Sequence, residues 1–495
     1  MYVLLFSSIL KQNRKMKIIL IPVIVIITLF TSCKETNQAE NTLKNRITSY
    51  LTECEKNGVS GSILVAQEEE ILYSGGLGLS DRKKKTPTNE ETIFTIGSIT
   101  KQFTATAILK LQEEGKLSVK DSLPSFFDNV PVDKKKITIH QLLTHTSGIL
   151  GNLPGGGDFA PIGKEDFLTK VFHSTLDFTP GSSYNYSNVG YTLLTIIIEQ
   201  ISQQDYEVYL NEVFFKKAGM ENTGYILPNW DENNISRAYK CEEDRGTHLE
   251  KWKINSNKIS YHQKGNGGIL STPLDMYKWY TALEEHKFVN EETTTLLTEP
   301  HSLINKGEYY GYGWFIYNSD RNTKRIAHSG YNGVNYSNFI RLPEEKNTVI
   351  IYMTSLVRYD TRRIGREIEK LIFDENYEPI VPKMNSTKYG AGEEPNENMA
   401  VINKFLSVLL KTDTKQTIEI FMKTHIPDSN KHTRFRDYFN AMQKEFTDYK
   451  LIYTLEYEDD TYDILLESKQ GVIEELTPCF DLKFNEQNQI TAFGW

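Results

Sequence analysis

The stretch Glu91–Leu117, ETIFTIGSITKQFTATAILKLQEEGKL, predicts the helix around which the rest of the chain is arranged. It places a serine and a lysine three residues apart, Ser98 and Lys101, at the start of an amphipathic helix. Apolar residues recur at helical spacing from Phe103, and Gly115 is a typical C-terminal stop. Residues i and i+3 share a helix face, so the Lys101 amine can reach the Ser98 hydroxyl. Such a pair can create a nucleophile, although an isolated Ser-x-x-Lys is more often a helix cap beside a solvated lysine.

The composition indicates a folded, acidic protein with more than one domain. Its 495 residues exceed an ordinary single domain, and 39% hydrophobic residues with 28 Tyr and 24 Phe can build sizeable cores. The net charge of −9 argues against a nucleic-acid partner. Cys54, Cys241 and Cys479 are too scattered for a disulfide framework or a metal site, so we expect no bound metal.

The first 32 residues have the pattern of a targeting signal. Cations between Lys11 and Lys17 precede the apolar run Ile18–Phe30, which is too short to span a bilayer comfortably. The run ends in a small-residue site followed directly by Cys33, which resembles the lipobox of a bacterial lipoprotein, although Phe30 replaces the usual aliphatic residue. We expect residues 1–32 to be a signal peptide and Cys33 to be lipidated. The alternative is an ordinary signal peptide with an incidental cysteine.

This expectation predicts the location and the net charge of the mature chain. Cleavage would remove four cations and no acids from a chain of net charge −9, so the product would carry −13. It would be exported and anchored to the membrane by its lipid, on the periplasmic side or the cell surface, without a transmembrane helix.

Periodicity and turn residues divide the remaining chain into a tether at 33–45, a large mixed domain at 46–377, a linker at 378–398 and a small α+β domain at 399–495. Strands of the large domain are predicted at Gly61–Val65, Ile71–Leu79, Gly311–Tyr317, Arg325–Tyr331, Ser337–Leu342 and Thr348–Thr354. Helices are predicted at Leu43–Glu55, Gly190–Ile201 and Arg362–Phe373, and a helix ending at a turn is predicted at Ile137–Gly148.

The C-terminal segment shows helical patterns followed by strand alternation. The predicted helices are Met399–Leu410, Lys415–Thr424 and Phe435–Phe446, and the predicted strands are Tyr449–Tyr457, Tyr462–Ser468, Gly471–Leu476, Cys479–Phe484 and Ile490–Trp495. The pattern suggests an NTF2-like or cystatin-like curled sheet. No catalytic constellation occurs in this part of the sequence, so a binding or spacing role is the hypothesis for it.

Five motifs in order connect the large domain to a known family. They are the Ser98–Lys101 tetrad, LLTHTSG ending at Gly148, Tyr186-Ser-Asn188, the GNGG turn Gly265–Gly268 and the run His328-Ser-Gly330. Together they resemble the serine β-lactamase-related family, which includes class C β-lactamases, D,D-peptidases, D-aminopeptidases and esterases. The resemblance covers about residues 46–375. It implies a mixed fold of the β-lactamase/transpeptidase type, in which a central antiparallel sheet packs between helices and a largely helical lobe forms the other wall of the cleft.

The resemblance also implies a serine hydrolase mechanism without a metal or organic cofactor. Ser98 would attack an amide or ester carbonyl, and Lys101 with Tyr186 would act as general base and proton shuttle. Lys101 would have to be neutral near pH 7, which burial can achieve. The implied substrates are small molecules or peptides, namely small esters, peptides with D-residues or cell-wall fragments.

The remaining site residues follow from the same resemblance. Asn188 would hold a substrate amide and help to fix Lys101, while the backbone N–H groups of Ser98 and Tyr331 would form the oxyanion hole. The substrate would lie along the strand that carries His328, Ser329 and Gly330. Penicillin-acting members usually carry lysine where this chain has His328, and histidine is charged only below about pH 6.5 unless a neighbour raises its pKa. We therefore expect weak β-lactam turnover, or acylation without fast release.

Two alternatives remain open from the sequence. One is a true β-lactamase, which His328 disfavours, and the other is a non-catalytic scaffold that binds muropeptides or a protein partner. The full set of Ser98, Lys101 and Tyr186 argues against the scaffold. We expect His140 and His145 to be structural hydrogen-bonding residues, and the sequence leaves the oligomeric state undetermined.

Overall fold

A computed structural model describes residues 42–494 apart from 155–156, 241, 255–258, 357–360, 411–414, 434, 437–438, 441–448, 459 and 469–478. The predicted signal peptide, the lipidation site Cys33 and most of the predicted tether lie outside the described residues. Within the described ranges, no helix combines the length and apolar character that crossing a membrane requires.

The helices are α1 (residues 42–56), α2 (Lys101–Glu113), α3 (Ile139–Leu143), α4 (Lys164–His173), α5 (Asn188–Ser202), α6 (Tyr206–Leu210), α7 (Lys216–Ala218), α8 (His248–Ile254), α9 (Pro273–Glu284), α10 (Glu291–Leu297), α11 (Ile364–Phe373), α12 (Glu397–Leu409) and α13 (Lys415–His425). The strands are β1 (Gly61–Gln67), β2 (Glu70–Leu77), β3 (Leu79–Asp81), β4 (Thr86–Pro87), β5 (Phe94–Thr95), β6 (Tyr239–Lys240), β7 (Glu243–Asp244), β8 (Leu270–Ser271), β9 (Ser302–Asn305), β10 (Glu308–Tyr310), β11 (Phe315–Asn318), β12 (Lys324–Tyr331), β13 (Tyr336–Leu342), β14 (Thr348–Thr354), β15 (Ser386–Gly390), β16 (Tyr449–Tyr457), β17 (Thr461–Ser468), β18 (Cys479–Phe484) and β19 (Ile490–Gly494).

An antiparallel sheet of eight strands forms the centre of the large domain, in the order β2-β1-β14-β13-β12-β11-β10-β9. The predicted hairpin and the last three predicted strands are present in it, and the predicted strand Gly311–Tyr317 is present only from Phe315, where β11 begins. The predicted fold class is confirmed. Strands β9 and β10 were not predicted, because they are short and their sequence alternates weakly. They extend the sheet on the side of β11.

Alternation along the central strands supplies two cores, one on each face of the sheet. On β13, Phe339 packs on the face that meets α2 and the helical lobe. The next residue, Ile340, packs on the opposite face with α1 and α11. The same alternation holds on β14, where Ile351 joins the first core and Ile350 the second. The sheet is therefore covered on both faces.

Helix α2 differs from the amphipathic helix that the sequence predicts. It is buried on nearly every side from Lys101 to Leu109, because it lies between the sheet and the helical lobe. Two of its buried threonines are hydrogen-bonded: Thr104 Oγ1 donates to the Gly265 carbonyl at 2.6 Å, and Thr106 Oγ1 donates to the Gln102 carbonyl at 2.8 Å. A helix buried all round is a fixed platform for the residues at its start.

The C-terminal segment forms its own antiparallel sheet, in the order β15-β16-β17-β18-β19, with a core shared by α12 and α13. The predicted linker 378–398 needs correction, because it contains strand β15. This strand pairs with β16, with Ser386 opposite Tyr457 and Gly390 opposite Tyr453. Flanking Pro and Gly residues hid this short, half-exposed edge strand. The predicted strand Gly471–Leu476 and most of the predicted helix Phe435–Phe446 lie outside the described residues.

Candidate active site

The 3-10 turn Gly97–Thr100 carries Ser98 directly into the first residue of α2, Lys101. The Lys101 Nζ atom lies 3.1 Å from Ser98 Oγ. Ser98 is partly exposed, whereas the Lys101 side chain is completely buried. The serine therefore faces the cleft with the amine behind it.

The surroundings of Lys101 favour a neutral amine. Burial lowers the Lys101 pKa well below its usual value, and the charge of Asp158 only partly opposes this effect. Nζ donates to Asn188 Oδ1 at 2.7 Å and to the Asn266 carbonyl at 2.6 Å. A neutral amine has two N–H donors and one lone pair, so these two hydrogen bonds leave the lone pair for the Ser98 hydroxyl.

Tyr186 covers the amine from the helical lobe. Its ring centroid lies 4.8 Å from Lys101 Nζ. Burial raises the Tyr186 pKa, and the interaction of its hydroxyl with Ser98 partly opposes the rise. Its hydroxyl makes no hydrogen bond of normal geometry with any described residue. The phenol is therefore protonated and lies beside the serine.

His145 of the LLTHTSG segment supports this tyrosine. The rings of His145 and Tyr186 are 4.3 Å apart, and the Ser187 N–H donates to His145 Nδ1 at 3.0 Å. Burial lowers the His145 pKa well below its usual value. His145 is thus a neutral residue that packs against Tyr186 and accepts a backbone hydrogen bond, in agreement with the structural role expected for it.

Asn188 begins α5, with Ser187 as its N-cap: Ser187 Oγ accepts from the Gly190 N–H at 3.0 Å. The Asn188 amide is oriented at both ends, since its Oδ1 accepts from Lys101 and its Nδ2 donates to Asn152 Oδ1 at 2.8 Å. The motif Tyr186-Ser-Asn188 therefore places a tyrosine and an amide on the two sides of one buried lysine.

Strand β12 and the 3-10 turn approach each other closely through two glycines. A Cβ atom on Gly330 would lie 1.9 Å from the Ile96 carbonyl oxygen and 2.8 Å from Ser98 N. A Cβ on Gly97, whose φ is +50°, would lie 2.5 Å from Tyr331 N. Only glycine permits this approach. It brings the backbone nitrogens of Ser98 and Tyr331 to the same end of the cleft.

His328 is buried and neutral. Its Nδ1–H donates to the Ser329 carbonyl at 2.7 Å, and its Nε2 accepts from the Tyr310 hydroxyl at 3.1 Å. Burial lowers the His328 pKa to about 3, and the hydrogen bond to the Ser329 carbonyl only partly opposes this effect. His328 therefore supplies no cation at neutral pH. Ser329, the next residue, is exposed.

Three residues near the predicted site were missed in the sequence. Asn266 contributes only its backbone carbonyl, which accepts a hydrogen bond from Lys101. The GNGG motif was recognised in the sequence, but no role was assigned to this carbonyl. Asp158 lies in the loop before α4, and burial raises its pKa while Lys101 opposes the rise. Tyr310 ends β10, which was not predicted. No spacing rule links these residues to Ser98, because each approaches it only through the tertiary fold.

The large domain is similar to a described family and to curated proteins. The family described as Beta-lactamase matches residues 43–372. Penicillin-binding protein 4* of Bacillus subtilis (strain 168) is 28% identical over 369 residues, covering 70% of this chain and 80% of that protein.

Solved structures show the same fold. The penicillin-binding protein from Bacillus halodurans is 28% identical with a TM-score of 0.57, covering 65% of this chain and 98% of that one. The D-amino acid amidase from Ochrobactrum anthropi SV3, complexed with D-phenylalanine, has a TM-score of 0.56 at 19% identity, covering 67% of this chain and 98% of the amidase.

Proposed function

Because this chain belongs to the Beta-lactamase family, we propose that it works through an acyl-enzyme in which Ser98 is the nucleophile. The chain is a serine hydrolase of the β-lactamase-related type. The observation that carries the proposal is the buried Lys101 amine, which lies 3.1 Å from Ser98 Oγ and has its two N–H groups occupied elsewhere.

The proposed reaction follows from these positions. Ser98 passes its proton to the Lys101 lone pair and attacks an ester or amide carbonyl. The backbone N–H groups of Ser98 and Tyr331 stabilise the oxyanion. Tyr186 carries a proton between the amine and the leaving group, and Asn188 holds the substrate amide while it orients Lys101. Water then releases the acyl group from Ser98.

The proposed substrates are small esters and peptides with D-residues, including cell-wall fragments. Similarity to penicillin-binding proteins supports this class, and Ser329 and Gly330 offer a strand against which a peptide can lie. We expect slow turnover of β-lactams and no dedicated β-lactamase activity, because the neutral His328 supplies no cation for the carboxylate of a β-lactam.

Intact-mass spectrometry tests the nucleophile directly. The purified protein is incubated with a fluorophosphonate and, separately, with a penicillin, and Ser98→Ala is treated in the same way. We expect the wild type to gain one fluorophosphonate adduct and Ser98→Ala to gain none. A Ser329→Ala variant, changed at a neighbouring exposed serine, should label like the wild type. A folded wild type that neither reagent labels would support a binding protein.

We also propose that the protein is exported and anchored to a membrane through a lipid on Cys33, as the sequence of residues 18–33 indicates. Mass spectrometry of the N-terminal peptide from the membrane fraction should find an acylated Cys33 as first residue. A Cys33→Ser variant should leave the membrane fraction. An unmodified N-terminus at Cys33 or at any other residue would contradict lipidation.

A further inference from the structure

The GNGG turn Gly265–Gly268, which supplies a carbonyl to Lys101, is held by residues that take no part in the proposed reaction. Within this turn the Asn266 carbonyl accepts from Lys101 Nζ at 2.6 Å. Gly265 has a φ of +80°, and a Cβ atom there would lie 1.6 Å from Thr195 Oγ1 on α5. The turn therefore lies directly against α5, at a distance that only glycine permits.

The Tyr225 hydroxyl holds the turn from one side. It accepts from the Gly265 N–H at 2.9 Å and donates to the Gly267 carbonyl at 2.9 Å, so it bridges the residues on either side of Asn266. Burial raises the Tyr225 pKa well above its usual value, so the hydroxyl keeps the proton that it donates. The Tyr225 backbone is fixed in its turn, because its N–H donates to the buried carboxylate of Glu207 at 2.6 Å.

Helix α5 holds the turn from the other side through a polar face. Residues three or four apart share a face of a helix. One face of α5 carries four polar residues at this spacing: Asn188, Thr192, Thr195 and Glu199. Thr192 Oγ1 donates to the Lys264 carbonyl at 3.2 Å and accepts from the Asn266 side-chain amide at 2.8 Å. At the far end of the same face, the Glu199 carboxylate accepts from Lys264 Nζ at 2.6 Å.

The Asn266 carbonyl determines which way the Lys101 lone pair points. A neutral amine has two N–H groups, and those of Lys101 donate to Asn188 Oδ1 and to the Asn266 carbonyl. If this carbonyl moved away, the released N–H would be free to turn towards Ser98 Oγ. The amine would then donate to the serine instead of accepting its proton. The position of the turn therefore controls the activity of the base.

We infer that Tyr225 and Thr192 are positioning residues for the general base. They hold the Asn266 carbonyl where it orients the lone pair of Lys101 towards Ser98. This inference rests on the proposed acyl-enzyme function and adds two residues to its machinery. Both side chains are fully buried, so neither touches a substrate. Their effect on the reaction passes through Lys101.

Two substitutions that each remove one hydroxyl test the inference on the full-length protein. They are Tyr225→Phe and Thr192→Val. We expect each to lower the rate constant for fluorophosphonate labelling of Ser98 by about five- to tenfold, the size of effect typical of one lost hydrogen bond. For p-nitrophenyl acetate, kcat should fall by a similar factor while KM stays within about twofold, because the substrate contacts are unchanged.

A double-mutant cycle separates positioning of the base from general damage to the fold. In the Lys101→Met background, Tyr225→Phe and Thr192→Val should each change the labelling rate constant by less than about twofold, because the group through which they act is gone. A merely structural role would lower the rate constant by the same factor in both backgrounds. Intact-mass spectrometry after long incubation measures the slow labelling of the Lys101→Met proteins.

Tyr50→Phe and Thr106→Val are the matched controls. Both hydroxyls belong to buried residues and donate to carbonyls outside the GNGG turn, to Ile380 at 3.2 Å and to Gln102 at 2.8 Å. These two variants should label within about twofold of the wild-type rate, since distant sites couple weakly. Urea unfolding checks that every variant is folded under the conditions of the assay.

The possible failures of the inference and of the proposed function are distinguishable. Wild-type labelling rates in both Tyr225→Phe and Thr192→Val, or equal losses with and without Lys101, would overturn the inference and leave the proposed hydrolase function standing. A Lys101→Met protein that labels as fast as the wild type would refute the proposed base and the inference with it.

Discussion

At the scale of single residues, the chemistry of this protein depends on the protonation of Lys101. An ordinary lysine with a pKa of about 10.4 would be a cation at neutral pH and could not accept a proton. Burial in the large domain lowers this pKa, with Asp158 opposing and the neutral His145 and His328 nearby. The functional amine is therefore created by its surroundings.

A neutral buried lysine makes stability depend on pH. Between the lowered pKa of native Lys101 and the unfolded value of about 10.4, the unfolded chain binds one more proton, so the free energy of unfolding rises with pH. Lys101→Met has no such titrating group. Relative to this variant, the free energy of unfolding of the wild type should rise by up to about 1.4 kcal/mol per pH unit within this window. Urea unfolding of both proteins at several pH values measures the difference.

The same variant has a kinetic consequence. Lys101→Met should lower kcat/KM by about 10²–10⁴, the range for loss of a general base. A difference in unfolding free energy that does not change with pH would mean that native Lys101 keeps its proton, and the proposed base would then be wrong.

His328 should leave the pH dependence of activity unaffected. Its pKa of about 3 keeps His328 neutral at any pH well above 3. The acidic limb of the pH profile of kcat/KM should therefore report the protonation of Lys101. His328→Gln should preserve that limb, and Tyr310→Phe, which removes the partner of His328 Nε2, should do the same. Disappearance of the limb in His328→Gln, measured with an uncharged ester, would show that His328 titrates in the free enzyme.

At the scale of elements, the site depends on how closely β12 approaches the 3-10 turn Gly97–Thr100. The two elements are far apart in sequence, and each contributes one backbone N–H to the proposed oxyanion hole. Their separation is fixed by the missing side chains of Gly97 and Gly330, so the geometry of the hole depends on backbone contact.

Gly330→Ala should therefore separate the strand from the turn. The new Cβ would lie 1.9 Å from the Ile96 carbonyl oxygen, so the backbone must move. We expect a loss of about 1–3 kcal/mol in stability, as for other overpacked sites, and a large drop in the rate of fluorophosphonate labelling. Gly163→Ala is the control, since its Cβ would meet no atom within 4 Å. Normal labelling of Gly330→Ala would show that the close approach is not required.

At the scale of the whole molecule, the two largest sheets of the described residues pack against separate cores. Contacts between them include the Tyr453 hydroxyl, which donates to Glu243 at 2.9 Å, and Ser386 Oγ, which donates to Glu242 at 2.7 Å. These contacts involve the β6–β7 hairpin and its turn, and neither Ser98 nor Lys101 takes part in them.

Removal of residues 386–495 should therefore leave the hydrolysis of small esters nearly unchanged. We expect kcat/KM within about threefold of the intact protein, since distant sites couple weakly. The truncated chain ends before β15, so no strand of the second sheet remains unpaired. Circular dichroism checks that the product is folded, and the truncated Ser98→Ala protein gives the background rate. A folded but inactive product would place part of the active site in the C-terminal domain.

Much of the fold and of the site follows from local sequence. Strands with alternating or continuous apolar residues, such as Thr348–Thr354, were found because their periodicity reflects burial on a sheet. The association of Ser98 with Lys101 was found because helix geometry fixes the distance between residues three apart. The strand Ser386–Gly390 was missed because an edge strand buries little and leaves only a weak pattern.

The sequence by itself determined the chemical groups of this protein: a serine, a lysine, a tyrosine and an amide in recognisable local spacings. Only the tertiary structure decided their states. The pKa values of Lys101 and His328 depend on burial by residues distant in sequence, and the alignment of Ser98 N with Tyr331 N depends on contact between two separate elements. Both properties depend on the tertiary fold, because the charge and solvation of a group are set by all its neighbours in space.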